Sequence, residues 1–297
     1  MDNKFKRNYV LTVETAPRSS EYITIKPPFT IEFDVQRNAL SSANVCKFTI
    51  YNLSQKNRDR ILKDWMNPSD IRKVYFNAGY GDGPNFPLVF TGYISLAQSV
   101  RRGVDFLTNI ECFDGGDAYS NANLSNTQFS KGTSNKTIVQ NMISQMKPYG
   151  VEMGAVGDIP GTISRGNSFA GNAIESIQAI TGGADNSGFF IDNGKANYLS
   201  DNEHIAATDI PVISSASGLL GTPVREQTFL TFDILFEPRL FIGQKIKLDS
   251  LTAKNYNTYY KVISLHHRGM ISESVCGNAT TTIGVYHAGF LTPVEAG

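Results

Sequence analysis

The chain has 297 residues, 41% hydrophobic and 18% charged, enough for about two or three packed domains and too apolar for wholesale disorder. Lys plus Arg and Asp plus Glu stand at 27 each, a net charge of +0, so there is none of the basic excess by which proteins grip nucleic acid through its phosphates. Three widely spaced cysteines, Cys46, Cys112 and Cys276, make no disulfide framework and fit a reducing cytosol during folding, and no stretch has the length of a signal-peptide core or a membrane span.

Period-two alternation predicts strands over Arg7–Glu14, Tyr22–Ile25, Phe29–Val35 and Val45–Tyr51. Pro27-Pro28 interrupts the ladder, since proline has no N–H to donate. In the third strand Phe29, Ile31, Phe33 and Val35 share one face. Ser54 is a good N-cap for an amphipathic helix from Gln55 to Met66, with Ile61, Leu62 and Trp65 inward and Pro68 as the stop. Strands over Arg72–Gly79 and Leu88–Leu96 flank the glycine-rich loop Gly79–Asn85. That loop feeds Pro87 and a strand, whereas a phosphate cradle feeds a helix N-terminus. Arg101 to Asp105 reads as a hairpin turn before a strand over Phe106–Phe113.

From Asp114 to Asn135 the chain is rich in Gly, Ser and Asn and marks a boundary. Helices follow, one from a Thr133 or Ser134 cap through Met146 and one over Phe169–Thr181, ended by Gly182-Gly183. Phe189 to Leu199 is a hairpin around Asn193-Gly194, the strongest short turn signal. Next come a Gly-Leu-Leu-Gly-Thr-Pro connection (Gly218–Pro223), an alternating run with Phe229, Thr231, Asp233 and Leu235 in phase, and a second with Ile246 and Leu248. Tyr259–His266 and Thr280–Tyr286 are strands about an Arg268-Gly269 turn, and Leu291–Gly297 is a flexible tail.

The two ends resemble each other. Ile94-Ser95-Leu96, Arg102-Gly103 and a strand ending in Phe113 match Ile263-Ser264-Leu265, Arg268-Gly269 and a strand ending in Tyr286. Phe48-Thr49-Ile50-Tyr51 loosely matches Phe232-Asp233-Ile234-Leu235. The expected fold is mainly β with an α+β insert: two tail-tube-like antiparallel barrel or sandwich domains, residues 1–115 and 206–290, flank a small α+β module, residues 116–205, with a tail at 291–297. Three subunits with two similar domains each can close a ring of six similar units.

Several motifs in order carry a family resemblance: Ile50-Tyr51-Asn52-Leu53-Ser54 and the Arg-containing helix after it; Ala78-Gly79-Tyr80-Gly81; Phe90-Thr91-Gly92; Cys112-Phe113-Asp114-Gly115; Ser217 to Pro223; and Phe236 to Gln244. With these, the chain resembles the baseplate hub proteins of contractile-tailed bacteriophages over nearly its whole length. The resemblance implies a non-enzymatic homotrimer in the virion tail baseplate, assembled in the host cytoplasm. Its pseudo-hexameric ring would join the sixfold tail tube protein to the threefold, trimeric spike protein and touch baseplate wedge or other tail proteins. Its lumen would pass the genome during ejection without specific DNA binding, with no stable membrane insertion. Distal tail proteins of siphophages share tube-like domains, so a carbohydrate-binding distal tail protein is one alternative.

The expected subunit or tube contacts are Tyr80, Asp82, Phe86, Arg101, Arg102 and Phe241. A peptidoglycan hydrolase is the other alternative, with Glu152, Asp158, Glu175, Asp185 and Asp192 as the acidic residues of the middle module. A glycosidase needs two carboxyls held across a cleft, and no Gly-x-Ser-x-Gly or His-Glu-x-x-His motif accompanies them. His266 and His267 point to opposite faces of a strand and so do not share a metal. Each cysteine is expected in plain core, although one near a threefold axis would supply three thiolates. No cofactor is expected.

Overall fold

The computed structural model describes residues 4, 6–40, 42–64, 67, 69–83, 85–182, 188–226, 229–275 and 277–297. The expectations for Trp65, Met66, Pro68, Gly183, Asp185 and Cys276 lie outside them.

The N-terminal β unit comprises β1 (Arg7–Glu14), β2 (Tyr22–Ile25), β3 (Ile31–Asn38), β4 (Val45–Tyr51), α1 (Gln55–Ile61), β5 (Lys73–Tyr80), β6 (Leu88–Arg102) and β7 (Asp105–Phe113). The middle contains α2 (Gly116–Asn121), β8 (Asn123–Phe129), α3 (Asn135–Gln145), β9 (Glu152–Val156), β10 (Asn167–Asn172), α4 (Ala173–Thr181), β11 (Phe189–Asp192) and β12 (Lys195–Tyr198). The remainder is β13 (Glu203–Ile205), β14 (Val212–Ser214), β15 (Leu219–Glu226), β16 (Phe229–Leu235), β17 (Lys245–Asp249), β18 (Tyr259–Ile271), β19 (Ala279–Tyr286) and β20 (Thr292–Val294). The fold is mainly β and mostly antiparallel, with α2, α3 and α4 in the middle of the chain and α1 in the N-terminal unit.

One 13-stranded sheet runs through both ends of the chain in the order β15-β16-β19-β18-β3-β4-β7-β6-β5-β1-β2, with β17 and β14 continuing from β18. It is an open path, not a closed barrel. Alternation decides its inner face: in β3, Ile31, Phe33, Val35 and Arg37 are all buried. Three apolar clusters form. One, with Phe48, Phe76 and Phe90, lies in the N-terminal unit but takes in Phe236, Ile271 and Ala279. A second joins α3 and α4 to β9, β11 and β12. The third, with Phe232, Ile246 and Val285, takes in Ala155, Phe190 and Leu199 from the middle.

Several elements depart from the sequence expectation because distant pairing outweighs local preference. Helix α1 is capped by Ser54 but stops at Ile61. Leu62 is already extended and 60% exposed, and Lys63 exchanges backbone hydrogen bonds with Ala97 of β6. The residues from Phe169 to Asn172 are not helical. They form β10 against β8, and α4 begins at Ala173, where the Asn172 side chain accepts from the N–H groups of Ile174 and Glu175. The Gly-Leu-Leu-Gly-Thr-Pro connection is mostly strand β15. In β16 the core face is Leu230, Phe232 and Ile234, the opposite phase to the one expected; Phe229 and Leu235 stand 46% and 38% exposed. Arg268-Gly269 is no turn, since β18 runs through to Ile271. The last residues are paired: β20 lies parallel to β13, and Gly297 donates its N–H to the Gly154 carbonyl.

Candidate assembly surface

Consecutive strands of the two β units share one hydrogen-bond register. In the first unit Lys73 lies opposite Tyr93, Tyr93 opposite Phe113, and Phe113 opposite Val45. In the second, Lys245 lies opposite Lys261, Lys261 opposite Tyr286, and Tyr286 opposite Phe229. A bulge falls at the same step of both central ladders, between Ile94 and Leu96 and between Val262 and Ser264. Strands β5, β6, β7 and β4 thus correspond to β17, β18, β19 and β16. Phe48 and Ile50 occupy the positions of Phe232 and Ile234. One strand further out, Gln36 faces Val45 as Glu226 faces Phe229, so β3 corresponds to β15. Val35 is then equivalent to Arg225, and Asp34 to Val224. In this register Ile94-Ser95-Leu96 and Ile263-Ser264-Leu265 are out of step, and so are the two Arg-Gly pairs.

The units are joined edge to edge within the chain: β3 pairs antiparallel with β18, from Ile31 opposite Ile271 to Asn38 opposite Ser264. On the exposed face of this seam His266 Nε2 and Asp34 Oδ1 are 3.0 Å apart. Among the described residues, no further strand of the sheet pairs with the corresponding edges at the far sides of the two units. Strand β15 ends the sheet path. In β6, β5 pairs with Leu88–Tyr93 and Lys63 bridges to Ala97, while Gln98–Arg102 have a partner strand on one side, β7, among the described residues. Equivalent residues differ accordingly: Val35 and His267 are wholly buried, Arg225 and Ser99 exposed.

A buried polar junction ties the three parts together. Arg37 continues the inward phase of β3, and its guanidinium donates to both Asp192 carboxylate oxygens, at 2.8 and 2.6 Å. It also donates to the Val89 carbonyl at 3.1 Å. Asn44 donates to the Ile191 carbonyl and to Asp192. The Asp114 carboxylate accepts from the Gly194 N–H at 2.9 Å. Burial pushes the Asp114 carboxyl up to about 7, and the neighbouring Asp192 charge adds to that rise. Burial likewise drives the His267 imidazole well below its ordinary value, followed by the Arg37 charge. Sequence reasoning missed this junction. Its signal was Arg37 itself, a charge in the buried phase of an alternating strand.

The expected contact residues fall in separate places. Asp82 is exposed and paired with Lys6 at 2.6 Å. Tyr80 lies nearby but is committed inside the chain: its hydroxyl donates to the Phe236 carbonyl at 2.8 Å, and burial pushes the phenol up to about 12. The Phe86 ring packs on Gly79, where a Cβ would stand 2.9 Å from its Cδ1. Arg101 and Arg102 are exposed together at the end of β6, with the Arg101 guanidinium 5.8 Å from the Phe106 ring centre. Phe241 is half-buried in the second unit, and its N–H donates to the Gln244 side chain.

Of the acidic residues of the middle that are described, Glu152, Asp158 and Glu175 are exposed, and Asp192 is buried and paired with Arg37. His266 and His267 do lie on opposite sides of β18; the buried His267 meets the Thr281 hydroxyl at 2.9 Å. Cys46 and Cys112 are buried, free thiols opposite each other in the β4–β7 ladder. No helix among the described residues is long and apolar enough to cross a membrane.

The same architecture occurs in solved tail proteins. The 43 kDa tail protein of prophage MuSo2 from Shewanella oneidensis superposes with a TM-score of 0.59 at 9% identity, over 95% of this chain and 97% of that one. A tail protein from Neisseria meningitidis MC58 gives 0.57 at 10% identity, over 96% and 98%. The E. coli c3393 protein, a type VI secretion component with structural similarity to T4 bacteriophage tail proteins gp27 and gp5, gives 0.53 at 7% identity, over 89% and 75%. These likenesses establish the shared fold. No curated protein matches the sequence. The family model of baseplate hub gp41, however, matches residues 10–269. The chain belongs to the baseplate hub gp41 family and is a structural protein of the phage tail.

Proposed function

We propose that three copies of this chain form a pseudo-hexameric ring at the baseplate, joining the sixfold tail tube to the threefold spike. The observation that carries this reading is the repeated register: two β units per chain, in which β3–β7 correspond in order and pairing to β15–β19, joined edge to edge in one sheet. Three such chains present six like units to a tube and three like chains to a spike. The lumen of the ring passes the genome, a reading with which the zero net charge of the chain is consistent, since strong phosphate binding would retard DNA.

Mass photometry of the purified chain, alone and mixed with its tube and spike neighbours, tests this. The expected result is a trimer in at least one of these mixtures. A chain that stays monomeric in all of them would remove the hub reading.

A further inference from the structure

We infer that neighbouring copies in the ring are sewn together by the two outer strand edges: Val224–Glu226 of β15 in one copy pairs antiparallel with Gln98–Val100 of β6 in the next. The inference rests on the trimeric reading above and specifies the surface that makes it.

The chain itself supplies the template. Strand β3 pairs with β18, and the shared register makes β15 the counterpart of β3 and β6 the counterpart of β18. Transferring the β3–β18 pairs residue by residue sets Ser99 opposite Arg225, as His267 is opposite Val35. It sets Val100 opposite Val224, as Arg268 is opposite Asp34.

The side chains fit that placement. Val100 and Val224 are 38% and 58% exposed in the single chain, and the transferred register lays one on the other. Cross-strand β-branched pairs of this kind stabilise a ladder. In the template, Ala39 donates its N–H to the Ile263 carbonyl. Two-residue periodicity then turns the backbone of His267 toward β3 and that of Arg268 away. Ser99 and Arg225 thus carry the backbone hydrogen bonds between copies, and the valines form the closer, non-hydrogen-bonded pair.

The seam is short for a visible reason. Strand β15 loses its register between Leu220 and Val224, and Pro223 has no N–H to offer across the edge. Such features stop an edge from recruiting strands without limit. Each copy carries one edge of each kind, so the contact is head to tail and closes into a ring when the rotation per copy fits.

A Val100→Cys/Val224→Cys chain tests the seam. Residues in a non-hydrogen-bonded pair stand about 4.5 Å apart at Cα, within the reach of a disulfide. Six strands separate β6 from β15 along the sheet of one chain, so the disulfide expected is between copies. Under mild oxidation the double variant should run as a covalent trimer on a non-reducing gel, while each single variant remains uncross-linked. A trimer by mass photometry that yields no covalent species from the double variant overturns the seam and leaves the hub reading intact. A chain that is monomeric alone and with its tube and spike neighbours overturns both.

Discussion

The two β units have the same register and opposite surroundings. In the middle of the sheet, β3 and β18 cover each other, and the residues facing the seam are Val35 and His267, both wholly buried. At the outer edges the same positions hold Arg225 and Ser99, both exposed. The strand scaffold is therefore separable from the surface it carries: one hydrogen-bond pattern serves a permanent internal seam on one side and a water-exposed edge on the other. The internal seam is reinforced from behind by the Arg37–Asp192 ion pair, which also binds the middle of the chain to the N-terminal unit.

The sharpest way to break this comparison is to exchange the residues at the equivalent positions. Val35→Arg puts an unpaired charge into the buried seam and should cost at least about 4 kcal/mol or prevent folding, as such buried charges do. Arg225→Val, the reverse exchange at an exposed edge, should leave monomer unfolding in urea within about 0.5 kcal/mol of the parent. Similar losses for the two variants would show that the edges are not different in kind.

Arg37→Met comes next. It strands the Asp192 carboxylate in a buried site, with an expected loss of about 3–5 kcal/mol. The double variant Arg37→Met/Asp192→Leu should recover part of that loss in the same urea titration, because it removes the stranded charge.

A pH dependence at Asp114 comes last. Its folded value of about 7 lies above the ordinary 3.8. Between those values the folded chain holds a proton that the unfolded chain releases. The stabilisation from that proton is full below about pH 4, falls as the pH rises and is gone once the pH passes 7. Asp114→Asn removes the titration and retains an oxygen to accept from the Gly194 N–H. Thermal melts should show the variant more stable than the parent at pH 8, with the gain vanishing near pH 4.

Much of this was legible in the sequence. Strands β1, β2 and β4 lie where alternation placed them. Ser54 caps α1 as expected, and of the two candidates Thr133 and Ser134 it is Ser134 that caps α3. Asn193 and Gly194 both adopt positive φ in the hairpin turn, as an Asn-Gly turn requires. The order of motifs pointed to the baseplate hub family. Each of these signals is local, or is a pattern that survives without its neighbours.

The contact residues were less legible. Tyr80 looked exposed in a glycine-rich loop, yet its hydroxyl is spent on Phe236 in the other half of the chain. The junction at Arg37 is not legible locally because its partner Asp192 lies 155 residues away.

By itself the sequence determined the mainly β class, the helix caps and the Asn193-Gly194 turn, and it suggested a repeated unit. Only the tertiary structure decided how the copies align, since two of the matches that suggested the repeat, Ile-Ser-Leu and Arg-Gly, prove to be out of register. It also decided which alternating face of β16 is core, where α1 gives way to pairing with β6, and that the polar run Asn123–Phe129 becomes a strand. The physical reason is common to all of these. Neighbouring backbone states differ by a kcal/mol or so in local preference, and a hydrogen-bonded partner strand from elsewhere in the chain outweighs that margin.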